Sequence, residues 1–490
     1  MDLKHLQEEA QLKSVFNSIK FQTTSGQTAI QSFFDTLAKQ KSVVLRRTNM
    51  IHEMRNNNKD CSSLWQKIVE SDTVLEPYID TTTDLTEQIE AEIFFTGANT
   101  KIFNSIPLLI SVLLFLKIWV TPIMGLLLPI LFFIAPYIIL NLFMNIPIPW
   151  DTYMTMMKEF VFGIRAGQTI GLKQITQCIY LFTSFGQGMF QPVLTAQQTY
   201  KTDTKIREIG EAVNTYLSAS TELFTILCSN RTHKSMPKMP TNLSAREAYW
   251  WFKENHLLFK AWRKEIGCID VYYTFAKDLR WIPVSWSNTA ELKFEHLSDL
   301  CIKEPVSSDI AIDGHNILTG PNRGGKSSFL RAVLQQVLFA RVFGVTSCKS
   351  MSLPWISWIH SRIRSLDMPG ESSLFEEDVK SCAGILRNIS LKNHGLVLID
   401  ELFHSTNPPD ALFCSKTFLG DFWRYETVTS IISTHSFELL NSLPQCVKPL
   451  CCPAEEDPLT RKIKYTYRVE PGICRLSSVR EVLAEAGFLA

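Results

Sequence analysis

Along most of the first hundred residues, apolar and polar positions alternate at helical spacing, with no Gly/Pro-rich break. Residues 1–16 carry Leu3, Leu6, Ala10, Leu12 and Phe16 among charged neighbours. This predicts an amphipathic surface helix and no cleaved signal, because there is no apolar h-region. The pattern breaks at residues 102–150, where Lys117 is the only charged side chain. About 20 apolar residues at helical rise cross a hydrocarbon core. Residues 102–120 and 123–143 each supply that length, and Thr121 and Pro122 lie where a turn would join them. The block therefore predicts a transmembrane helical hairpin, with Lys117 snorkelling and Trp119 and Trp150 anchoring at the interface. A buried helical pair in a soluble domain is the alternative, but such helices are shorter and keep a polar stripe.

Helical periodicity returns from Trp150 to about Trp281, through Ile206, Ile209, Val213, Tyr216 and Leu217. Residues 232–242, with two prolines, read as a connection. Ser244, Ala245, Arg246 and Glu247 have the form of a capping box opening a helix. That helix carries Trp250, Trp251 and Phe252, an aromatic cluster that reads as core before it reads as a base-stacking platform. From Ala290 the chain turns to short apolar runs between polar turns, the pattern of strands. The chain thus divides into four parts: a helical region over 1–101, the hairpin over 102–150, a helical core over 151–285 and an α/β domain over 286–490.

Composition changes this picture little. A chain of 490 residues exceeds one ordinary core. The net charge of +1 provides no global field for a polyanion. Local basic stretches (Arg46, Arg47, Arg55 and Lys59; Arg461, Lys462, Lys464 and Arg468) read as solvated faces. The twelve cysteines include no pair at zinc spacing, so they read as reduced core residues of a cytosolic chain.

The α/β part carries the chemistry. Gly320, Pro321, Asn322, Arg323, Gly324, Gly325, Lys326, Ser327 and Ser328 follow a short apolar run and precede a helical pattern, fitting G-x-x-x-x-G-K-[ST]. Glycines let backbone N–H groups close on phosphate oxygens, and the helix start adds its positive end. Lys326 then reaches the β- and γ-phosphates and Ser327 ligates Mg²⁺. The all-apolar run from Gly395 to Ile399 ends in Asp400 and Glu401. Asp400 there holds Mg²⁺ through water and Glu401 acts as general base for hydrolysis. In isolation this acidic pair would serve equally as a helix cap. Ile431 and Ile432 lead to His435, placed to sense a γ-phosphate by a hydrogen bond. The reading is a P-loop ATPase using ATP and Mg²⁺. ATP use puts this domain on the cytosolic side of a multi-pass membrane protein; a single tilted span, which would set the two soluble parts on opposite sides, is the open alternative.

The Thr-Gly-Pro-Asn-x-Gly-Gly-Lys-Ser loop, Thr319 to Ser327, resembles that of the MutS family, the mismatch-repair branch of the ABC-type ATPases. Asp367, Gly370, Ser372, Ser373 and Glu377 are similar to the family's segment between its two nucleotide motifs; Ser433, Thr434 and His435 with Glu438 and Leu439 are similar to its Thr-His-x-x-Glu-Leu segment. Gly267 to Ala276 resembles its lever helix, and Pro471 to Gly487 its closing strand and helix. The resemblance implies a dimer, here a homodimer, that sandwiches two ATP molecules, with Ser372 contacting the partner's nucleotide. It also implies DNA binding of the mismatch-repair type.

Departures from the pattern are specific. Arg323 stands where the family has methionine, and the glycine-rich turn after Asp400 and Glu401 is replaced by Leu402 to Asp410. No mismatch-reading domain or terminal helix-turn-helix is recognisable, and the apolar block stands in place of a DNA clamp. The leading expectation is a shortened, membrane-anchored MutS-type ATPase whose cycle opens and closes a dimer. The alternative is an ATP-driven membrane or partner-docking switch with no nucleic-acid function.

Overall fold

The computed structural model describes residues 3–57, 59–79, 93–95, 97, 100–162, 171–228, 239–363, 374–389, 393–403, 406–441, 443–457 and 462–486. The chain forms two compact units, residues 1–59 with 263–490 and residues 60–262.

In the first unit a six-stranded sheet has the order Glu470–Pro471, Val447–Cys451, His315–Thr319, Val428–Ser433, Gly395–Ile399, Trp358–Arg362. Every neighbouring pair is parallel except the antiparallel edge pair of Glu470–Pro471 with Val447–Cys451. The three central strands are buried at every position; Gly395–Ile399 is a continuous apolar run, whereas His315–Thr319 and Val428–Ser433 also bury His315, Asn316, Thr429 and Ser430. A second, four-stranded sheet contains Ser285–Trp286, Ser350–Leu353, Leu292–Leu297 and Ser308–Ile312. Its Ser308–Ile312 strand alternates buried and exposed positions, the mark of a sheet covered on one face.

The sequence-based division sets residues 1–101 apart from the sheet domain, whereas the structure groups residues 1–59 with it. The cause is aromatic packing and end-capping across some 300 residues of sequence. Phe33 and Phe34 pack edge-on against Phe343 at 5.0 and 5.9 Å, and Phe34 against Phe339 at 5.1 Å. Both partners lie on the buried helix Lys326–Phe343. At the C-terminus of that helix, carbonyls lack intrahelical donors. Arg47 donates to Val342 O at 2.8 Å and Thr48 Oγ1 to Phe343 O at 2.9 Å. The carboxylate of Asp270 on the His256–Lys277 helix accepts from Gln22 N (3.1 Å), Thr23 N (2.7 Å) and Thr23 Oγ1 (2.8 Å). Burial pushes the Asp270 carboxyl upward in pKa, and these hydrogen bonds oppose the shift.

The second unit is helical. The capping box forms: Ser244 and Glu247 satisfy each other's backbone at the start of Ala245–Glu254. Tyr249 and Phe252 are buried, and Phe94 lies 5.1 Å from Trp250, so this cluster is mostly core.

Residues 107–143 overturn the turn expected at Thr121 and Pro122. Pro107–Phe143 is one continuous 37-residue helical run, none of whose most apolar stretch is buried. A π-helical turn, Leu116–Val120, sets Thr121 N–H and Thr121 Oγ1 on Leu116 O, and a new α-helical segment starts at Thr121. Pro122 thus occupies a helix first turn, where its missing N–H costs nothing. The chain reverses after Phe143 instead, where Ile148 N donates to Asn141 Oδ1 at 3.1 Å and Tyr153 OH to Phe133 O at 2.7 Å. The first half of the 56-residue helix Leu172–Leu227 then packs antiparallel to the apolar run. Phe185 meets Phe132 and Phe133 (ring centroids 6.1 and 5.9 Å), and Pro192 lies against Gly125.

Candidate functional site

Three adjacent parallel strands end at one edge of the central sheet: His315–Thr319, Val428–Ser433 and Gly395–Ile399. Parallel pairing gathers their C-terminal ends: the glycine loop after Thr319, Thr434 and His435 after Ser433, and Asp400 and Glu401 after Ile399. Crevices outside the carboxyl ends of such strands are where open α/β sheets bind ligands.

The loop is held from below by Cys452 N donating to Thr319 O (2.9 Å) and Cys474 N to Thr319 Oγ1 (3.0 Å). Gly320 has φ +140°, and a Cβ there would stand 3.0 Å from Cys452 O, so the position admits only glycine without strain. Gly325, also left-handed, leads into the helix Lys326–Phe343, whose first N–H groups lack intrahelical partners. Arg323 is left-handed at φ 66°.

Lys326 is buried and its Nζ donates to Gly320 O (3.0 Å) and Pro321 O (3.1 Å). Burial pushes its pKa down, and Asp400 is the largest influence opposing this. Ser327 Oγ donates to Asp400 Oδ2, and Ser433 Oγ donates to Asp400 Oδ1. Ser433 Oγ also accepts from Glu401 N at 2.9 Å. Glu401 has φ 53°, and its Oε1 lies 3.0 Å from His435 Nε2 in a half-exposed pair.

A cavity of about 400 Å³ opens over the loop. Its walls include the loop from Asn322 to Ser328, then Glu401, Tyr467, Ile302 and Val306. Tyr465, stacked on Tyr467 at 5.8 Å, donates to Glu481 Oε2 at 2.6 Å. This hydrogen bond, first among several causes, holds Glu481 below the usual carboxylate range.

The structure thus brings together Gly320, Lys326, Ser327, Asp400, Glu401 and His435. Ser372, with Asp367 and Gly370, lies outside the described residues. Four participants are not singled out as site residues by the sequence. Ser433, which orients Asp400, enters there only within the strand-end segment Ser433 to His435, with no role assigned. Tyr467, Ile302 and Val306 come from segments with no motif, and only tertiary contact reveals them.

A mixed α/β domain with a glycine loop, a buried lysine and a paired carboxylate at the C-terminal edge of its parallel sheet is therefore the class to which this unit belongs. Residues 316–488 match the family model described as MutS domain V, so this part of the chain is similar to that domain. It is similar to the DNA mismatch repair protein MSH2 of Zea mays, 31% identical over 185 residues. That alignment covers 35% of this chain and 19% of the relative. The MSH3 protein of Yarrowia lipolytica is 34% identical over 140 residues, covering 28% and 14%. MSH2 of Arabidopsis thaliana is 31% identical over 184 residues, covering 35% and 19%. The alignments span less than a fifth of the length of these relatives.

Proposed function

We propose that the site binds Mg-ATP and hydrolyses it. The observation that carries this reading is the meeting of Lys326, Ser327 and Asp400 beneath a glycine-lined cavity. The residues fit the ligand: a buried ammonium, free first-turn amides and a hydroxyl touching a carboxylate match a triphosphate and a hard cation. When bound, magnesium supplies Lewis-acid neutralisation of phosphate charge. Ser327 and Asp400 would hold the ion, with Ser433 fixing the Asp400 carboxylate. Lys326 would exchange its loop carbonyls for phosphate oxygens. Glu401, at the mouth of the cavity, would accept the proton of an attacking water, and His435 would orient Glu401 through their hydrogen bond. Single-turnover hydrolysis by wild type and Glu401→Gln tests the assignment. A loss of about 10²–10⁴-fold is expected, and equal rates would remove Glu401 as base.

The homologous domain belongs to proteins named for DNA mismatch repair, and a homodimer with two composite ATP sites, completed by Ser372, is proposed on that likeness. DNA binding belongs to the same proposal and should weaken steeply with salt. We further propose that the Pro107–Phe143 run crosses a membrane, with its ends outside the hydrocarbon. At 1.5 Å per residue it is about 55 Å long against a hydrocarbon core of about 30 Å, and its most apolar stretch is unburied. The antiparallel return of the Leu172–Leu227 helix would bring the chain back to one side, the cytosolic side that supplies ATP.

This exposed apolar helix favours a second reading, an ATP-driven membrane or partner-docking switch without nucleic acid. Purification from detergent-solubilised membranes separates the two: nucleic acid in the isolated complex supports the first, and a protein partner without it the second.

A further inference from the structure

A polar cleft interrupts the apolar helix pair of the second unit. On the Leu172–Leu227 helix, Ser184, Gln187, Gln191, Thr195 and Thr199 recur every three or four residues and form one stripe. The other faces of that segment expose Ile179, Phe182, Phe190, Val193 and Leu194. Lys117 and Thr121 line the opposite wall, and the cleft measures about 850 Å³, the size of a small-ligand site. Beside it the helices approach closely: a Cβ on Gly125 would stand 2.9 Å from Pro192 and 3.3 Å from Gly188 O.

The position of the cleft along the helices identifies its ligand. One turn beyond Thr199, Asp203 accepts from Arg246 at 2.6 and 2.7 Å, and Arg246 Nη1 reaches Ser111 Oγ at 3.3 Å. Ser111 precedes Lys117 by about 9 Å of helix. After Lys117 no charged side chain occurs until Asp151, and Trp119 is 60% exposed. The order of charge along the axis is ion pair, then cation with neutral hydrogen-bonding groups, then a charge-free helix, while Leu108, Val112 and Phe115 beside the ion pair are exposed as well. That ordering of charge fits a bilayer interface with Lys117 at headgroup depth. Among the described residues lining the cleft there is one cation and no carboxylate. The lining offers a counter-charge to phosphate and none to a choline or ethanolamine ammonium.

We propose that this cleft binds the phosphate headgroup of an anionic phospholipid. Lys117 supplies the charge, and Thr121, Gln187, Gln191 and Thr195 supply hydrogen bonds. The acyl chains lie along the exposed apolar faces of the two helices. The proposal rests on the membrane reading above and deepens it.

The test uses the full chain in phosphatidylcholine nanodiscs containing a minor share of phosphatidylglycerol. Lipids retained on the protein after extraction into detergent are counted by native mass spectrometry. Wild type should retain phosphatidylglycerol over phosphatidylcholine, and Lys117→Gln should lower that preference about fivefold. Gln191→Leu should lower it without removing the charge, and millimolar inorganic phosphate should not displace the lipid. An unchanged preference in Lys117→Gln, or displacement by inorganic phosphate alone, overturns the proposal. Incorporation into nanodiscs without phosphatidylglycerol preference sinks this inference and leaves the membrane reading standing. Failure to incorporate sinks both.

Discussion

Asp400 takes hydrogen bonds from two hydroxyls, Ser327 on the helix and Ser433 on the neighbouring strand, so its carboxylate is fixed by residues 73 and 33 positions away. Ser433→Ala should loosen it while leaving the loop intact. The expected outcome is magnesium affinity reduced about 10–100-fold in nucleotide-binding titrations, with magnesium-free binding unchanged. His315 gives a second prediction at this scale. Its ring is buried against Phe422 (5.0 Å), its Nδ1 lies 2.9 Å from Ser430 Oγ, and burial pushes its pKa down to about 4. The folded state therefore disfavours the protonated ring. The stabilisation is complete above the unfolded value of about 6.5 and is lost as pH falls towards 4, on the order of 3 kcal/mol at most. Hydrogen exchange in the Val428–Ser433 strand should accelerate from pH 7 to 5 after correction for intrinsic rates, and His315→Asn should flatten that dependence. The glycines, Lys326, Ser327 and the acidic pair were legible in the sequence because phosphate and metal chemistry restricts residue type at fixed spacing. Ser433 and Tyr467 were not, since a hydroxyl at a strand end and a loop tyrosine have many other uses.

The buried strand Gly395–Ile399 announced itself as an unbroken apolar run, and the helix after the glycine loop by its periodicity. The break at Thr121 and Pro122 was misleading for a definite reason: the π-helical turn at Leu116–Val120 leads into a new α-helical segment whose first turn holds Pro122, and that segment carries Pro129 and Pro136 in its interior as well. Composition could not show this, because a π turn depends on hydrogen-bond register. Capping across distant segments was equally hidden. Thr48→Val removes the donor to Phe343 O and should destabilise the first unit by about 1 kcal/mol, read as a lower denaturant midpoint with unchanged slope. Gly125→Leu forces the apolar helix away from Pro192 and Gly188, and the pair should become more protease-sensitive in detergent.

At the level of the whole chain, sequence order and spatial grouping diverge. Residues 286–490 look self-contained along the sequence, yet Phe339 and Phe343 are covered by Phe33 and Phe34 of the first segment. A fragment beginning at residue 286 should therefore be insoluble, and co-expression of residues 1–59 with residues 263–490 should restore soluble protein. The nucleotide site belongs to that same unit. Its central claim is tested most directly by equilibrium binding of Mg-ATP to the full chain and to Lys326→Ala. Wild type should bind and the variant should lose all measurable affinity. Equal binding by both, with folding shown to be unchanged, would contradict the account.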